Sequence, residues 1–336
     1  MRLFICEFIT GGGLHDQELP DNLIREGSMM LEALLKDLLE LGITDITTIR
    51  DARLDPLLLP VEIVAIEEDI YHILESCMND ADAVLIIAPE SDDILFNLTV
   101  MAERANCYVL GSTSGSVKSA SSKLQTANLL SKNNISCIET TLLKDNIIPE
   151  TESGWVIKPD DGVGAEDCYF CADKKELDKL KDSISIERFV IQEYLAGKPA
   201  SLSMICYQGN AQLLACNKQI FSFDPGISGR KGALKELVVN GLIEQWALFN
   251  MIAQNIAKAD KGLLGYVGVD LIVTESGAVV VEINPRLTTS YIGLRRSLSL
   301  NPAELILSIW QNGTMHEVHN KQFSPVNILL EESDVI

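Results

Sequence analysis

Apolar residues along the first third of the chain fall into two alternating rhythms. Short runs at 3–9, 43–49, 61–66, 83–87 and 107–110 are apolar at most positions and read as β-strands. Between them, 23–41, 70–78 and 94–105 carry apolar residues at three- and four-residue spacing and read as amphipathic helices. In the first helix the stripe is Met29, Met30, Ala33, Leu34, Leu38 and Leu41. Strands alternating with helices imply a parallel sheet covered by helices, so the pattern predicts an α/β domain ending near residue 110. The triplet Gly11-Gly12-Gly13 leaves the first strand at its carboxyl end, the edge where open α/β sheets bind ligands. It is not a dinucleotide fingerprint, because the third glycine of G-x-G-x-x-G counted from Gly11 would fall on Asp16. A plain βα loop and a substrate-facing loop are both readings of it.

The rhythm changes near residue 112. Residues 112–122 are rich in Ser and Gly, 123–132 reads as a helix, and 152–171 as a strand, a Gly/Asp loop and a returning strand. A charged surface helix at 174–181 is followed by three antiparallel strands over 188–218, with turns at 195–200 and 208–210. A polar loop at 222–232 then precedes a long amphipathic helix at 234–258. Residues 263–274 and 278–284 form a hairpin through Glu275-Ser276-Gly277. Asn301-Pro302, a capping residue with proline at the first helical position, opens a last helix to about Trp310. No internal repeat or low-complexity tract is visible.

Charge narrows the partners. The 336 residues hold 27 Lys+Arg against 48 Asp+Glu, a net charge of −21, which repels nucleic acid and anionic membranes alike. A small phosphate-bearing ligand is still admissible, since a few local cations and Mg²⁺ outweigh an acidic surface screened over a Debye length of ~10 Å. The longest apolar runs fall far short of the ~20 residues of a membrane helix. Glu7 interrupts the N-terminal stretch MRLFICEFIT, which reads as a first strand and not a signal peptide. Eight Cys, scattered at 6, 77, 107, 137, 168, 171, 206 and 216, suit a reducing cytoplasm.

Candidate chemistry concentrates in three places. In AVVVEINPRLTTS (278–290), Glu282 and Asn284 are two apart and share one face of a strand, with Val281 and Ile283 on the other. On the partner strand, LLGYVGVDLIV, Asp270 also interrupts an apolar run, and Gly268 on its face leaves room for a bulky neighbour. If the hairpin pairs Asp270 near Glu282, two carboxylates and an amide oxygen converge, the hard-oxygen set that Mg²⁺ uses, with Arg286 close enough to meet a phosphoryl group. An exposed sheet face with incidental polar residues is disfavoured, because adjacent acids repel without a cation. In WVIKPDDGVGAED (155–167), Lys158 ends a strand, and Gly162-Val163-Gly164-Ala165 lets backbone N–H groups approach an anion. The lysine precedes the glycines, so this is not a Walker A loop. In QEYLAGKPASLSM (192–204), a strand runs into a polar-to-apolar hinge whose backbone could bond an adenine edge.

These clusters, in this order and with Lys123 in SSKLQTANLL, resemble the ATP-grasp superfamily of carboxylate ligases over roughly 112–312, and the preceding segment resembles its Rossmann-like pre-ATP-grasp domain. The resemblance implies a molecule of α/β and α+β parts. These would be a pre-ATP-grasp domain at 1–111, a small lid subdomain at 112–187 and a large subdomain at 188–336 with the metal site and a tail. By that resemblance Lys123 and Lys158 contact ATP phosphates, Gly162 and Gly164 belong to the covering loop, and Gln192, Glu193 and Leu195 form the adenine hinge. Asp270, Glu282 and Asn284 hold one or two Mg²⁺, replaceable by Mn²⁺, and Arg286 with Lys158 stabilises the transferring phosphoryl. The implied reaction joins a small carboxylate to an amine through an acyl phosphate, releasing ADP and phosphate; a homodimer is compatible with it. FICEFITGGG, RDARLD (50–55), GKPASLSM and ACNKQ (215–219) resemble the branch containing tyramine–L-glutamate ligases of methanofuran synthesis and their methylotroph relatives.

One departure concerns the ribose. Family members often place a Glu several residues past the hinge, but Gly197-Lys198-Pro199-Ala200-Ser201 has no acid, which leaves Ser201 or Glu193. Arg230 and Lys231 are candidates for a substrate carboxylate or are simply solvated, and Glu7, Asp16 and Glu18 would attract a cationic amine or belong to an acidic surface. Other readings are a different ATP-grasp amino-acid ligase, a kinase, or a non-catalytic ATP sensor, which would lack the metal ligands present here. Cys168 and Cys171 lack a second pair and read as packing residues, and His316 and His319 as solvated tail.

Overall fold

The computed structural model describes residues 1–105, 107–162, 167–224, 231–316, 318 and 323–330. Five strands, β1 (Leu3–Glu7), β2 (Ile46–Asp51), β3 (Glu62–Ile66), β4 (Ala83–Ile87) and β5 (Tyr108–Val109), form a parallel sheet in the order β3-β2-β1-β4-β5. Helices α1 (Asp21–Glu40), α2 (Ile70–Asp80) and α3 (Ile94–Arg104) connect them. Central strand β1 is buried on both sides, as the strand of a doubly covered sheet must be. Phe4, Cys6, Ile49 and Ile86 pack with Ile70, Leu74 and Leu98, while Leu3, Ile5 and Leu85 pack under Leu31, Leu34 and Leu38 of α1. That second core also contains Tyr291, Leu294 and Ile306 from the far end of the chain, so α1 is glued to the C-terminal half by apolar burial.

The Ser/Gly-rich stretch contains helix α4 (Ser114–Ser121), which apolar periodicity could not reveal because its buried face is Ser116, Val117 and Ser121, with a single apolar residue. Thr113 caps it by accepting from the Ser116 N–H. Helix α5 (Lys123–Lys132) follows, then β6 (Thr140–Leu142), β7 (Trp155–Pro159), β8 (Tyr169–Cys171), α6 (Lys174–Lys181) and β9 (Phe189–Glu193). Strands β6-β9-β7-β8 make a small antiparallel sheet over its own core of Leu143, Ile157, Leu177 and Ile191.

Here three expectations are corrected. The segment 188–218 is not one three-stranded unit: β9 pairs with β6 and β7, and only after residue 197 does the chain enter the large sheet as β10 (Lys198–Tyr207) and β11 (Asn210–Asp224). Alternation marks a strand but does not name its partner. The expected helix at 234–258 begins as a strand, β12 (Lys231–Val239), and becomes helix α7 only at Trp246–Ala259. A bulge at Lys235, opposite Ile220 and Phe221, puts Leu234 and Leu237 on one side at three-residue spacing and imitates a helical stripe. The polar loop at 222–232 is shorter than expected, since β11 and β12 run into it.

The hairpin is β13 (Gly265–Thr274) and β14 (Gly277–Asn284), followed by α8 (Tyr291–Leu298), α9 (Pro302–Asn312) and β15 (Val326–Leu329). The large sheet runs β14-β13-β10-β11-β12-β15, antiparallel throughout, and covers one face with α7 through Phe249, Ile252 and Ile256. Its other face and the small sheet enclose a cavity of about 970 Å³. No helix among the described residues is long and apolar enough to cross a membrane, and all eight cysteines are unpaired.

Candidate functional site

The register of β13 with β14 sets Asp270 opposite Glu282 and Gly268 opposite Asn284, which brings together the three side chains expected to share a face. A bulge at Val281 turns that residue toward the cavity as well, correcting its expected inward direction, while Ile283 stays in the core. Asp270 accepts from Gln219 Nε2 at 2.8 Å and from Asn284 Nδ2 at 3.1 Å. A Cβ on Gly268 would lie 2.6 Å from Thr288 Cγ2, so glycine is what lets the segment after Arg286 cross the sheet here. Beneath it, Tyr266 Oη bonds the hydroxyls of Ser203, Thr288 and Ser290 at 2.9–3.0 Å.

Lys158 arrives from the small sheet, and Lys123 from α5, whose Leu130 packs into the core of the large sheet. Asp160, just past β7, accepts from Ser122 Oγ at 2.7 Å and from the Leu124 N–H at 2.9 Å, fastening the end of β7 to the start of α5. Lys123 begins that helix and Lys158 sits in β7 two residues before Asp160, so one latch positions both ammonium groups. Lys123 Nζ lies 3.7 Å and Lys158 Nζ 4.0 Å from Glu282 Oε2; Lys123 also donates to the Gly162 carbonyl at 2.6 Å. Burial alone would push the Glu282 carboxyl up, but Lys123 and Lys158 together hold it below its usual range. Asp270 has no lysine partner among the described residues, and burial beside the Glu282 charge raises its carboxyl. Burial and the nearby Lys123 charge lower the Lys158 ammonium against the pull of Glu282.

Arg286 is held across the domain boundary. Its Nε contacts both Glu90 carboxylate oxygens, at 2.9 and 3.0 Å, and its Nη2 contacts Oε2 at 2.9 Å; Nη1 donates to the Leu287 carbonyl at 3.2 Å. Of the five guanidinium N–H groups, one on Nη1 and one on Nη2 are left for a ligand. Glu90 sits just beyond the carboxyl end of β4, and sequence reading missed it, although the rule that ligands bind at that edge marks the position. Gln219 was likewise missed except as part of ACNKQ. Gln192 is buried and donates to Thr140 Oγ1 at 2.8 Å, while Glu193, Tyr194 and Leu195 line the cavity beside it. Ser201, in register with Asp270, is buried on the cavity floor, accepting from Asn217 at 3.2 Å. Gly162 lines the same cavity; Gly164 and Arg230 lie outside the described residues. Glu7 does not face a ligand: it is buried and saturated by Thr10 and the Ile9 N–H.

Among the described residues no three His, Cys, Asp or Glu side chains come together around a metal position. Two opposed carboxylates with amide oxygens nearby fit Mg²⁺ nonetheless, because that ion takes one or two carboxylates and fills its remaining positions with phosphate oxygens and water. The raised Asp270 carboxyl marks a place where a cation is wanted.

Comparison with known proteins agrees with this geometry. An ATP-grasp domain model matches residues 120–290 and a pre-ATP-grasp model matches 44–117. The tyramine–L-glutamate ligase of Methanocaldococcus jannaschii is 30% identical over 91% of this chain and 88% of its own length. That of Methanocaldococcus fervens is also 30% identical, over 96% of this chain and 99% of its own. Among solved structures, an ATP-grasp superfamily protein of Archaeoglobus fulgidus superposes with a TM-score of 0.73 at 23% identity, covering 98% of this chain and 92% of that one.

Proposed function

The chain belongs to the ATP-grasp family, and from that premise we infer that it ligates L-glutamate to tyramine, or to a close analogue, through an acyl phosphate. The observation that carries this reading is the convergence of Lys123, Lys158 and Arg286 on the strand pair that holds Asp270, Glu282 and Asn284. A carboxylate does not condense with an amine unaided, because its oxygen is a poor leaving group. Attack of a carboxylate oxygen on the γ-phosphorus breaks the β–γ bridging bond and releases ADP. The amine, once deprotonated, then attacks the carbonyl carbon, the bond to the phosphoryl oxygen breaks, and phosphate and one proton leave.

The protein's part is to position and to neutralise. Lys123 and Lys158 present fixed positive charge to phosphate oxygens, and the two remaining N–H groups of Arg286 are poised for the transferring phosphoryl. Glu193, Tyr194 and Leu195 offer backbone groups to the adenine edge. Mg²⁺ held by Asp270, Glu282 and Asn284 would spread charge on the phosphates. Burial of these groups supports exclusion of water, which would otherwise hydrolyse the acyl phosphate.

The test is product analysis with Mg-ATP, L-glutamate and tyramine. Stoichiometric ADP, phosphate and amide are expected; AMP with pyrophosphate would overturn the mechanism, and ADP without amide across a panel of amines would overturn the substrate pair.

A further inference from the structure

At the end of the cavity beyond Arg286 the wall is no longer made by the two ATP-grasp lobes alone. Helix α1 of the N-terminal domain contributes Glu26, and the segment after β14 contributes Thr288, Thr289 and Ser290. Thr289 Oγ1 donates to Glu26 Oε1, which fixes the carboxylate against the rim. Lys218 is exposed at the edge of this cavity, and the other charges that line it have a place. Glu282 faces Lys123 and Lys158, Arg286 is taken by Glu90, and Asp270 belongs to the metal strand pair. Glu193 lies beside Tyr194 and Leu195 at the opposite, hinge end. Glu26 forms no ion pair among the described residues, and its Oε2 accepts no hydrogen bond from them. It is close enough to Arg286 to help keep that guanidinium protonated, which places it next to the expected phosphoryl position. A cavity of about 970 Å³ is at the upper end of what one small ligand fills, leaving space at this end for a second molecule beside a nucleotide.

We propose that Glu26 receives the protonated primary amino group of a substrate, holding it beside the phosphoryl-transfer position. The assignment rests on the ligase reading above. A carboxylate at the wall attracts an ammonium group and rejects a second carboxylate, so it also orients whichever substrate carries both. Two molecules could bring that group: the amine nucleophile, or the amino acid through its α-ammonium.

Glu26→Gln distinguishes them, since it preserves shape and an acceptor for Thr289 while removing the charge. A charge-assisted hydrogen bond of this kind is worth about 10- to 100-fold in affinity. Steady-state kinetics of the full chain should show KM rising about 10- to 100-fold for tyramine alone if the nucleophile is the source, or for L-glutamate alone if the amino acid is. KM for ATP should stay within twofold in either case, which also reports that the variant is folded. Equal KM values for all substrates in variant and wild type would overturn the assignment. Calorimetric titration of both proteins with tyramine and with L-glutamate, in the presence of Mg-ADP, reads the same contact without turnover. Binding weakened by the variant supports it; equal binding to both proteins, or no binding of either compound to the wild type, overturns it. A wild type that binds an amine through Glu26 yet forms no amide refutes the proposed reaction and leaves this assignment standing.

Discussion

Replacing Asp270 with Asn should stabilise the metal-free protein while destroying its activity. Asp270 lies opposite Glu282 in the β13–β14 register, and both lysines ion-pair with Glu282, so Asp270 is left without an ion pair among the described residues. The substitution can keep the hydrogen bonds: the new amide N–H can donate to Glu282 in place of the Asp270 carboxyl, and Gln219 and Asn284, which each donate to Asp270, can still donate to the amide oxygen or turn over. What remains is removal of a desolvated like charge, worth about 1–3 kcal/mol. At roughly 2–4 °C per kcal/mol, the melting midpoint should rise by about 2–12 °C. The sign of the pH dependence follows from the raised Asp270 carboxyl. An acid whose folded-state pKa lies above its unfolded value of about 3.9 destabilises the fold progressively as pH rises from there through the folded-state value, and fully above it. Thermal melts without Mg²⁺ should therefore show a larger gap between variant and wild type at pH 8.5 than at pH 5. Adding Mg-ADP should raise the wild-type midpoint more than the variant's. A variant less stable than wild type at pH 8.5, or one protected equally by Mg-ADP, would refute the reasoning.

Glu282→Gln should cut ligase turnover by on the order of 100-fold or more while leaving the circular dichroism spectrum unchanged, and wild-type turnover in that variant would remove Glu282 from the metal set. Glu90→Ala strands a buried guanidinium whose side chain is only 15% exposed, so urea melts should show a loss of about 3–5 kcal/mol; an unmoved midpoint would mean the Glu90–Arg286 pair is not formed in solution.

The alternation of strands and helices up to residue 110 was legible because the central strands β1 and β4 are nearly all apolar and every helix keeps a stripe. The hairpin face carrying Glu282 and Asn284 was legible for the same reason, since an acid in an apolar strand has few explanations. What failed has local causes. The bulge at Lys235 shifted a strand into helical spacing, the bulge at Val281 turned a valine around, and β9 changed sheets without any change in its own pattern. Glu90, Glu26 and Gln219 escaped because each reaches the site from an element far away in sequence: Glu90 meets Arg286 across 196 residues. No local periodicity encodes such a meeting. Glu7 was drawn toward the substrate by its charge, yet it caps its own turn, with Gly27 kept bare to admit its carboxylate: a Cβ there would lie 2.8 Å away.

The central claim is that a substrate carboxylate oxygen attacks the γ-phosphorus of ATP before the amine reacts. Ligation of L-glutamate labelled with ¹⁸O in its carboxylates, followed by mass spectrometry of the phosphate released, tests it directly. Transfer of one ¹⁸O into each inorganic phosphate is the result this account predicts. Unlabelled phosphate accompanying amide formation, or label recovered in AMP, would contradict it.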